Sequence, residues 1–241
     1  MIFIESRCND AAYHFSVEEL FTCSIRDNSP VLMLWQTDKT VMLGSNQIVK
    51  AEVDVDIALE SGIKIVRRSS GGGAIYTDPG TILYTVIRPM TKEAFIHKEE
   101  TAVSVINALN KMGVPAIREG RNDITAEGRK ISGLAQYTSG SHICTHGSLL
   151  YDTDLETLSK VLIANEKKLH PKGITSIRSR VTNIKPYMEN GSSVGDFMDI
   201  LKNHLLSGFE YSIYLPGKNE QVEINKIYQN KYANPEWNLR M

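Results

Sequence analysis

The chain has 241 residues, 41% hydrophobic and 23% charged, which suits one large globular domain, or one domain with a small appendage, around a sizeable core. A formal net charge of −1 excludes a global pull toward nucleic acid or a membrane surface, and no apolar run approaches the ~18–20 residues of a membrane span. Cys8, Cys23 and Cys144 are too scattered for a disulfide framework or a zinc site, and the start Met1-Ile2-Phe3-Ile4-Glu5 lacks the basic segment of a signal peptide, so a cytoplasmic protein is expected.

In chain order, Ser16-Val17-Glu18-Glu19 has the form of a capping box and predicts a helix running toward Ile25. The apolar runs Val31–Trp35 and Thr40–Leu43, separated by Gln36 to Lys39, predict a hairpin. A short helix over Val53 to Ser61 ends at Gly62, and Ile63 to Arg67 follows as a strand. Two more strands, Ala74 to Thr77 and Ile82 to Ile87, flank the turn Asp78-Pro79-Gly80-Thr81. Between Glu93 and Met112 the residues Ala102, Val105, Ile106, Leu109 and Met112 share one helical face, closed by Gly113 and Pro115. His146 to Tyr151 reads as a strand, Thr153 to about Ile163 as a capped helix, and Ser193 to Leu206 as a last helix. With strands and helices mixed and no repeat or linker, the expected fold class is α+β: a mixed, mostly antiparallel sheet flanked by helices.

Two glycine-punctuated, cation-bearing segments carry the chemistry. The first is Arg67-Arg68-Ser69-Ser70-Gly71-Gly72-Gly73-Ala74-Ile75-Tyr76. Its glycines expose backbone N–H groups and its guanidiniums suit phosphate or carboxylate. The second is Gly120-Arg121-Asn122-Asp123-Ile124 with Gly128-Arg129-Lys130-Ile131-Ser132-Gly133, which offers one ammonium, Lys130, and an amide–carboxylate pair. Together they predict a site for a phosphate-bearing anion. From Lys167 to Met188 there are six basic residues and no acidic one, a solvated loop or one that folds over an anion. The familiar nucleotide loops and the nucleophile elbow are missing. A carboxylate attacking the α-phosphate of ATP would need cations, a metal and shielding from water. Arg68 and Lys130, Asp123, and the basic loop could supply them in turn. Taken singly, Lys130 would be a surface lysine and His146 a structural histidine as readily as a catalytic one. Cys144 and His146 would share a strand face, but no third orienting group is visible. Trp35 and Trp237 read as packing residues.

Four motifs in order resemble the lipoate–protein ligase A family: Arg67-Arg-x-Ser-Gly-Gly-Gly-Ala, Gly120-Arg-Asn-Asp-Ile with Arg129-Lys-Ile-Ser-Gly, His146-Gly-Ser-Leu-Leu, and Lys168-Leu-x-x-Lys-Gly-Ile-Thr-Ser-Ile-Arg-Ser-Arg-Val-Thr-Asn. The resemblance extends from Val17 to Pro235-Glu236-Trp237-Asn238. It implies the catalytic fold shared with biotin protein ligases and related to class II aminoacyl-tRNA synthetases. It also implies an ATP-dependent ligase that activates lipoate to lipoyl-AMP with Mg²⁺. The lipoyl group then passes to a lysine of a lipoyl carrier, an E2 domain of a 2-oxoacid dehydrogenase or the glycine-cleavage H protein. Residue by residue, it places Arg68, Gly73, Ala74, Ile75, Tyr76, Asn122, Asp123 and Lys130 at the nucleotide, with Asp123 near the metal. Arg68, Gly72, Gly73, Lys130 and His146 fall at lipoate, and Leu169 to Val181 form a loop that closes over the adenylate. Lys130 is the catalytic residue, and the lipoate tunnel is expected around Ile75, Leu83 and Leu149.

Three departures from the family pattern stand out. Thr77 and Thr81 replace a histidine and an asparagine expected near the ligand. The sequence given stops three residues after Asn238, so the expectation is a catalytic domain over 1–241 with the accessory C-terminal domain absent, and possibly a separate accessory subunit. Ile117-Arg118-Glu119 lacks the acyl-carrying cysteine of octanoyltransferase relatives, which favours adenylation. Two alternatives stay open: a lipoyl or octanoyl transferase using preformed acyl-adenylate or acyl carrier, and a degenerate carrier-binding protein.

Overall fold

The computed structural model of the chain describes residues 1–5, 8–24, 29–91, 94–163, 177–188 and 192–240. Among these, the larger of two sheets joins β1 (Ile2–Glu5), β2 (Val31–Trp35), β6 (Thr81–Pro89), β7 (Ala116–Glu119), β8 (Asp123–Ala126), β9 (Arg129–Ser139), β10 (His142–Leu150) and β11 (Ser212–Tyr214). Their spatial order is β11-β1-β2-β6-β10-β9-β8-β7. The smaller sheet centres β3 (Thr40–Leu43) between β4 (Lys64–Arg67) and β5 (Ile75–Thr77). The pairs β1–β2, β1–β11 and β3–β4 are parallel and the others antiparallel, so the mixed, mostly antiparallel expectation holds.

The predicted hairpin does not form. Val31–Trp35 and Thr40–Leu43 are both strands, but β2 joins the large sheet and β3 the small one. Every residue of both is buried, and a run without polar alternation needs cover on both faces, which a surface hairpin cannot give. The chain likewise changes sheets across the turn at Asp78–Thr81.

Helix α1 (Ala11–Ser24) starts earlier than its sequence signal. The Asp10 carboxylate accepts from Ala12 N (2.8 Å) and Tyr13 N (3.4 Å) and caps it. Ser16 lies inside the helix, where its hydroxyl bonds back to Ala12 O at 2.7 Å. After a short turn α2 (Val49–Glu52), α3 (Val55–Glu60) is capped by Asp54. The long α4 (Ala94–Lys111) matches its apolar stripe. Asp154, one residue beyond the expected cap, opens α5 (Leu155–Val161), and Ser193 opens α7 (Val194–Leu206) with a complete capping box. Between them lies the short α6 (Ile177–Arg180); α8 (Lys218–Ile227) and α9 (Pro235–Asn238) end the fold.

One face of the large sheet packs Tyr84, Ile124, Ile131 and Leu149 against Leu109 of α4 and Phe197 of α7. The other packs Trp35, Leu83 and Cys144 against Phe15 and Phe21 of α1. Val41, Leu43 and Tyr76 of the small sheet pack with Leu155 and Leu158 of α5. The glycine segment after β4 therefore hangs between the two sheets.

Candidate active site

A cleft of about 500 Å³ lies between the glycine segment and strands β8 to β10, within the size range of small-molecule sites. Its deep end is apolar: Phe15, Trp35, Met42, Ile75 and Leu83. Its outer part carries Glu119, Gly120, Arg121, Asn122, Asp123, Lys130, His146, Ser148 and Arg180. A second cavity of about 120 Å³ adjoins it, lined by Ala74, Ile75, Tyr76, Leu150, Leu162, Ile163 and Ile177, and shares Lys130, Ser148 and Arg180 with the first. The ammonium thus stands where two cavities meet.

A one-residue irregularity puts it there. Asp123 pairs with Gly133 and Ile124 with Ser132, but Thr125 pairs with Lys130, leaving Ile131 as the extra residue of a bulge. Cross-strand partners share a face, so the bulge turns Lys130 to the side of Asp123 while Ile131 enters the core with Ile124 and Ala126. Lys130 Nζ then meets Asp123 Oδ1 at 2.8 Å, and Arg180 NH2 meets Oδ2 at 2.7 Å. Burial alone would raise the Asp123 pKa, but the two cations outweigh it and hold the carboxyl below its usual range. The ammonium lies over Gly133, where a Cβ would stand 2.8 Å from Nζ.

Arg68 shapes the opposite wall. Its Nε donates to Ser70 Oγ (3.0 Å), NH1 to Met42 O (3.0 Å), and NH2 to Gly71 O (2.9 Å) and Gly73 O (2.8 Å). The guanidinium lines the cleft, yet its hydrogen bonds hold the glycine segment from within. Burial lowers its pKa to about 10, still charged at neutral pH, with Glu18 opposing the shift. Gly72 takes φ +102°, a left-handed conformation that favours glycine. Arg67, expected beside Arg68 as an anion grip, lies outside the cleft lining. It is fully buried and donates to the carbonyls of Gly44, Ser45, Gln47, Trp237, Asn238 and Arg240.

His146 reaches the cleft through an arrangement the sequence did not reveal. Its Nδ1 faces both carboxylate oxygens of buried Glu18 (3.0 and 3.1 Å) and its Nε2 faces Ser70 Oγ (2.7 Å). The Thr85 hydroxyl also donates to Glu18 and itself receives Trp35 Nε1 at 3.0 Å. A chain of polar contacts therefore runs from α1 through His146 and Ser70 to Arg68. A signal existed: Glu18 sits three or four residues from His14, Phe15, Phe21 and Thr22, all buried, so a carboxylate interrupts the buried stripe of α1.

The other expected residues divide. Gly72, Gly73, Ala74, Ile75, Asn122, Asp123, Lys130 and His146 gather at the cleft, with Asn122 Oδ1 also accepting from Lys98 at 3.1 Å. Tyr76 turns away into the small-sheet core and lines the second cavity only; burial, then Asp78 and Asp154, push its phenol above the usual range. Leu83 lines the apolar end, whereas Leu149 is buried on the opposite face of the sheet and leaves the expected tunnel. Thr77 and Thr81 line neither cavity. They are buried and bonded to Thr37 and Thr153, both at 2.8 Å, so the exchange of histidine and asparagine removes nothing from this lining. Cys144 is fully buried, with its thiol pushed up by burial and then by Glu18. Both His146 nitrogens are already engaged, so no Cys/His dyad forms. Of the expected closing loop, residues 169–176 lie outside the described residues. Its end is anchored, with Val181 bridged to Lys130 and Thr182 N donating to Lys130 O at 3.0 Å. Asp123, expected near a metal, has Lys130 on one oxygen and Arg180 on the other, and its side chain stays 24% exposed.

Residues 10–206 match the lipoyl protein ligase A/B catalytic domain. The chain is 35% identical over 210 residues to the "Probable lipoate-protein ligase A" of Mycoplasma pneumoniae, covering 87% of this chain and 62% of that protein. It is 31% identical over 242 residues to lipoate-protein ligase LplJ of Bacillus subtilis, covering 99% of this chain and 73% of that one. The chain therefore spans between three-fifths and three-quarters of the length of these curated relatives. Among solved structures, a bi-partite lipoate protein ligase of Thermoplasma acidophilum superposes with a TM-score of 0.85 at 25% identity, over 99% of this chain and 95% of that one. With the family match over most of its length, the chain belongs to the lipoyl protein ligase A/B catalytic domain family.

Proposed function

We propose that the chain is the catalytic domain of an ATP-dependent lipoate–protein ligase. Lipoate enters carboxylate outward, with its dithiolane and alkyl chain among Phe15, Trp35, Met42 and Leu83. ATP places its base against the Ala74-Ile75-Tyr76 edge in the second cavity, with Leu150, Leu162 and Ile177 around it. A carboxylate oxygen attacks the α-phosphorus, the bond to the pyrophosphate oxygen breaks, and lipoyl-AMP remains. The uncharged ε-amine of a carrier lysine then attacks the acyl carbonyl, the amide forms, and AMP leaves with the electron pair. Lys130 is the catalytic cation: its ammonium offsets charge on both the carboxylate and the phosphate as they approach. Asp123 orients that ammonium, and the glycine segment offers N–H groups to the ligands. Asn122 is assigned to the phosphate end and His146 to the lipoate end. No step is routed through Mg²⁺; Asp123, whose oxygens each keep a second lone pair, would hold the ion, which would offset charge on the leaving pyrophosphate. The observation that carries this reading is Lys130 at the junction of a cleft with an apolar part and a second cavity beside the Ala74-Ile75-Tyr76 edge.

The relative from Thermoplasma acidophilum is described as a bi-partite ligase together with its E2 lipoyl domain. That supports an E2-type lipoyl domain as the acceptor here, and a separate accessory subunit as a possible requirement for activation. No helix among the described residues is long and apolar enough to cross a membrane, and a cytoplasmic reaction supplied with ATP is the proposed setting. The test follows purified protein with lipoate, ATP and an E2 lipoyl domain, measuring AMP, lipoyl-AMP and modified carrier separately. Lipoyl-AMP followed by modified carrier is the expected result. Transfer only from supplied lipoyl-AMP points to a missing subunit. Transfer from an acyl-carrier thioester without ATP overturns the ligase reading in favour of a transferase.

A further inference from the structure

Adenylation gathers the negative charge of three phosphates and a carboxylate in one place, yet the two arginines before the glycines are engaged elsewhere. Arg67 serves six backbone carbonyls away from the cleft, and Arg68 serves Ser70 and three carbonyls of its own wall. Lys130 and Arg180 are held differently. They share one carboxylate, Asp123, each on its own oxygen, at 2.8 and 2.7 Å. Both line both cavities. Arg180 ends α6 and is followed by Val181 and Thr182, which are tied to the backbone of Lys130, so the guanidinium hangs from a fixed point beside the ammonium.

We propose that Arg180 is a second phosphate-binding residue of this site, parked on Asp123 and transferred to a phosphate of the nucleotide when it enters. The inference rests on the ligase reading above. The exchange is physically easy in this place. The side chains of Arg180 and Asp123 are 25% and 24% exposed, and a part-solvated ion pair holds its partners only weakly. A phosphate offers more charge than a carboxylate, and the guanidinium fork fits two of its oxygens at once. Asp123 offsets part of the positive charge of the cleft and leaves Lys130 oriented after Arg180 departs. Being attached one residue from the Lys130 bridge, Arg180 needs only side-chain rotation.

Binding of an ATP analogue with a methylene bridge between the α and β phosphorus atoms is measured by calorimetry for the wild type, Arg180→Gln and Arg180→Lys. Lipoate binding and the thermal melt are recorded alongside. The wild-type titration tests by itself whether the lone chain takes up the nucleotide as the ligase reading requires, and absence of binding counts against that reading and this proposal together. Given wild-type binding, Arg180→Gln should weaken the analogue at least tenfold while lipoate affinity stays within twofold. It should also slow lipoyl-AMP formation by about 10²–10³, the usual loss for a preorganised charge. Arg180→Lys should recover the charge but not the fork, and fall between the two. If Arg180→Gln melts early, Arg180→Lys carries the test: weaker analogue binding than wild type supports the proposal. Analogue binding equal to wild type in the folded variants overturns it and leaves the ligase reading standing.

Discussion

The Lys130 ammonium is placed by three features: a bulge that turns its side chain to the cleft, a carboxylate that holds its tip, and a glycine that leaves room for it. Because Lys130 is part-exposed, with 24% of its side chain accessible, Lys130→Ala should leave the fold intact. It should slow adenylation by about 10²–10³. Near-native turnover in a stopped lipoyl-AMP assay of the folded variant would remove this lysine from the mechanism. Gly133→Ala tests position with the charge kept. The added methyl would stand 2.8 Å from Nζ and 3.1 Å from Cε, both atoms at the movable end of a long side chain. The fold should therefore tolerate it while the ammonium shifts by roughly an ångström, and misplacement on that scale costs up to about 10² in rate. An unchanged rate together with an unchanged melting temperature would show that the ammonium finds its place without that space.

Arg67 shows how an element can depend on a residue whose sequence neighbours suggest another task. Next to Arg68 and before three glycines it reads as an anion grip. Half of its six carbonyl partners lie 170 or more positions away: Trp237 O at 3.0 Å, Asn238 O at 3.2 Å and Arg240 O at 3.1 Å, with Asn238 Oδ1 accepting its backbone N–H at 2.8 Å. No local pattern encodes those partners. The guanidinium ties α9 to β4 at the root of the glycine segment. Arg67→Ala should leave these buried carbonyls without donors and cost on the order of 3 kcal/mol. The check is a urea unfolding midpoint, and one within error of the wild type would show that α9 is held by other contacts. The same contrast between local and distant information explains which elements were legible. Helix α4 and the capping box of α7 carry complete local signals and appeared where expected. Strands β7 to β9 were not recognised; along β9 the bulge opposite β8 breaks the alternation that marks a half-buried strand. The pairing of β2 and β3 in different sheets is decided by which buried faces meet.

At the scale of the whole molecule, the site was legible as residue types but not as an arrangement. Lys130, Asp123 and the glycines announce themselves by spacing. Glu18 and Arg180 join them only because α1 crosses one face of the large sheet and the chain after α6 returns along β9. The cleft wall is shared accordingly: the small sheet delivers Arg68 and the glycine segment, and the large sheet delivers Lys130 and His146. A ligand confined to the apolar end touches mainly the large sheet and α1, and one confined to the second cavity touches mainly β5, α5 and α6. On the proposed reading, a molecule with an acyl chain and a nucleotide joined at the phosphate spans both and passes Lys130. A stable lipoyl-adenylate mimic, such as a sulfamoyl analogue, should therefore bind far more tightly than lipoate or AMP alone, because joining the halves removes the entropy of gathering two ligands. At a hundredfold excess over its Kd it should add about 2.7 kcal/mol of stability, roughly 5–10 °C for a chain of this size. Thermal melts with lipoate, AMP, both together and the mimic make the comparison. If lipoate and AMP together, each at the concentration of the mimic, raise the melting temperature as far as the mimic does, the two cavities act independently, and Lys130 does not stand at a common reaction centre.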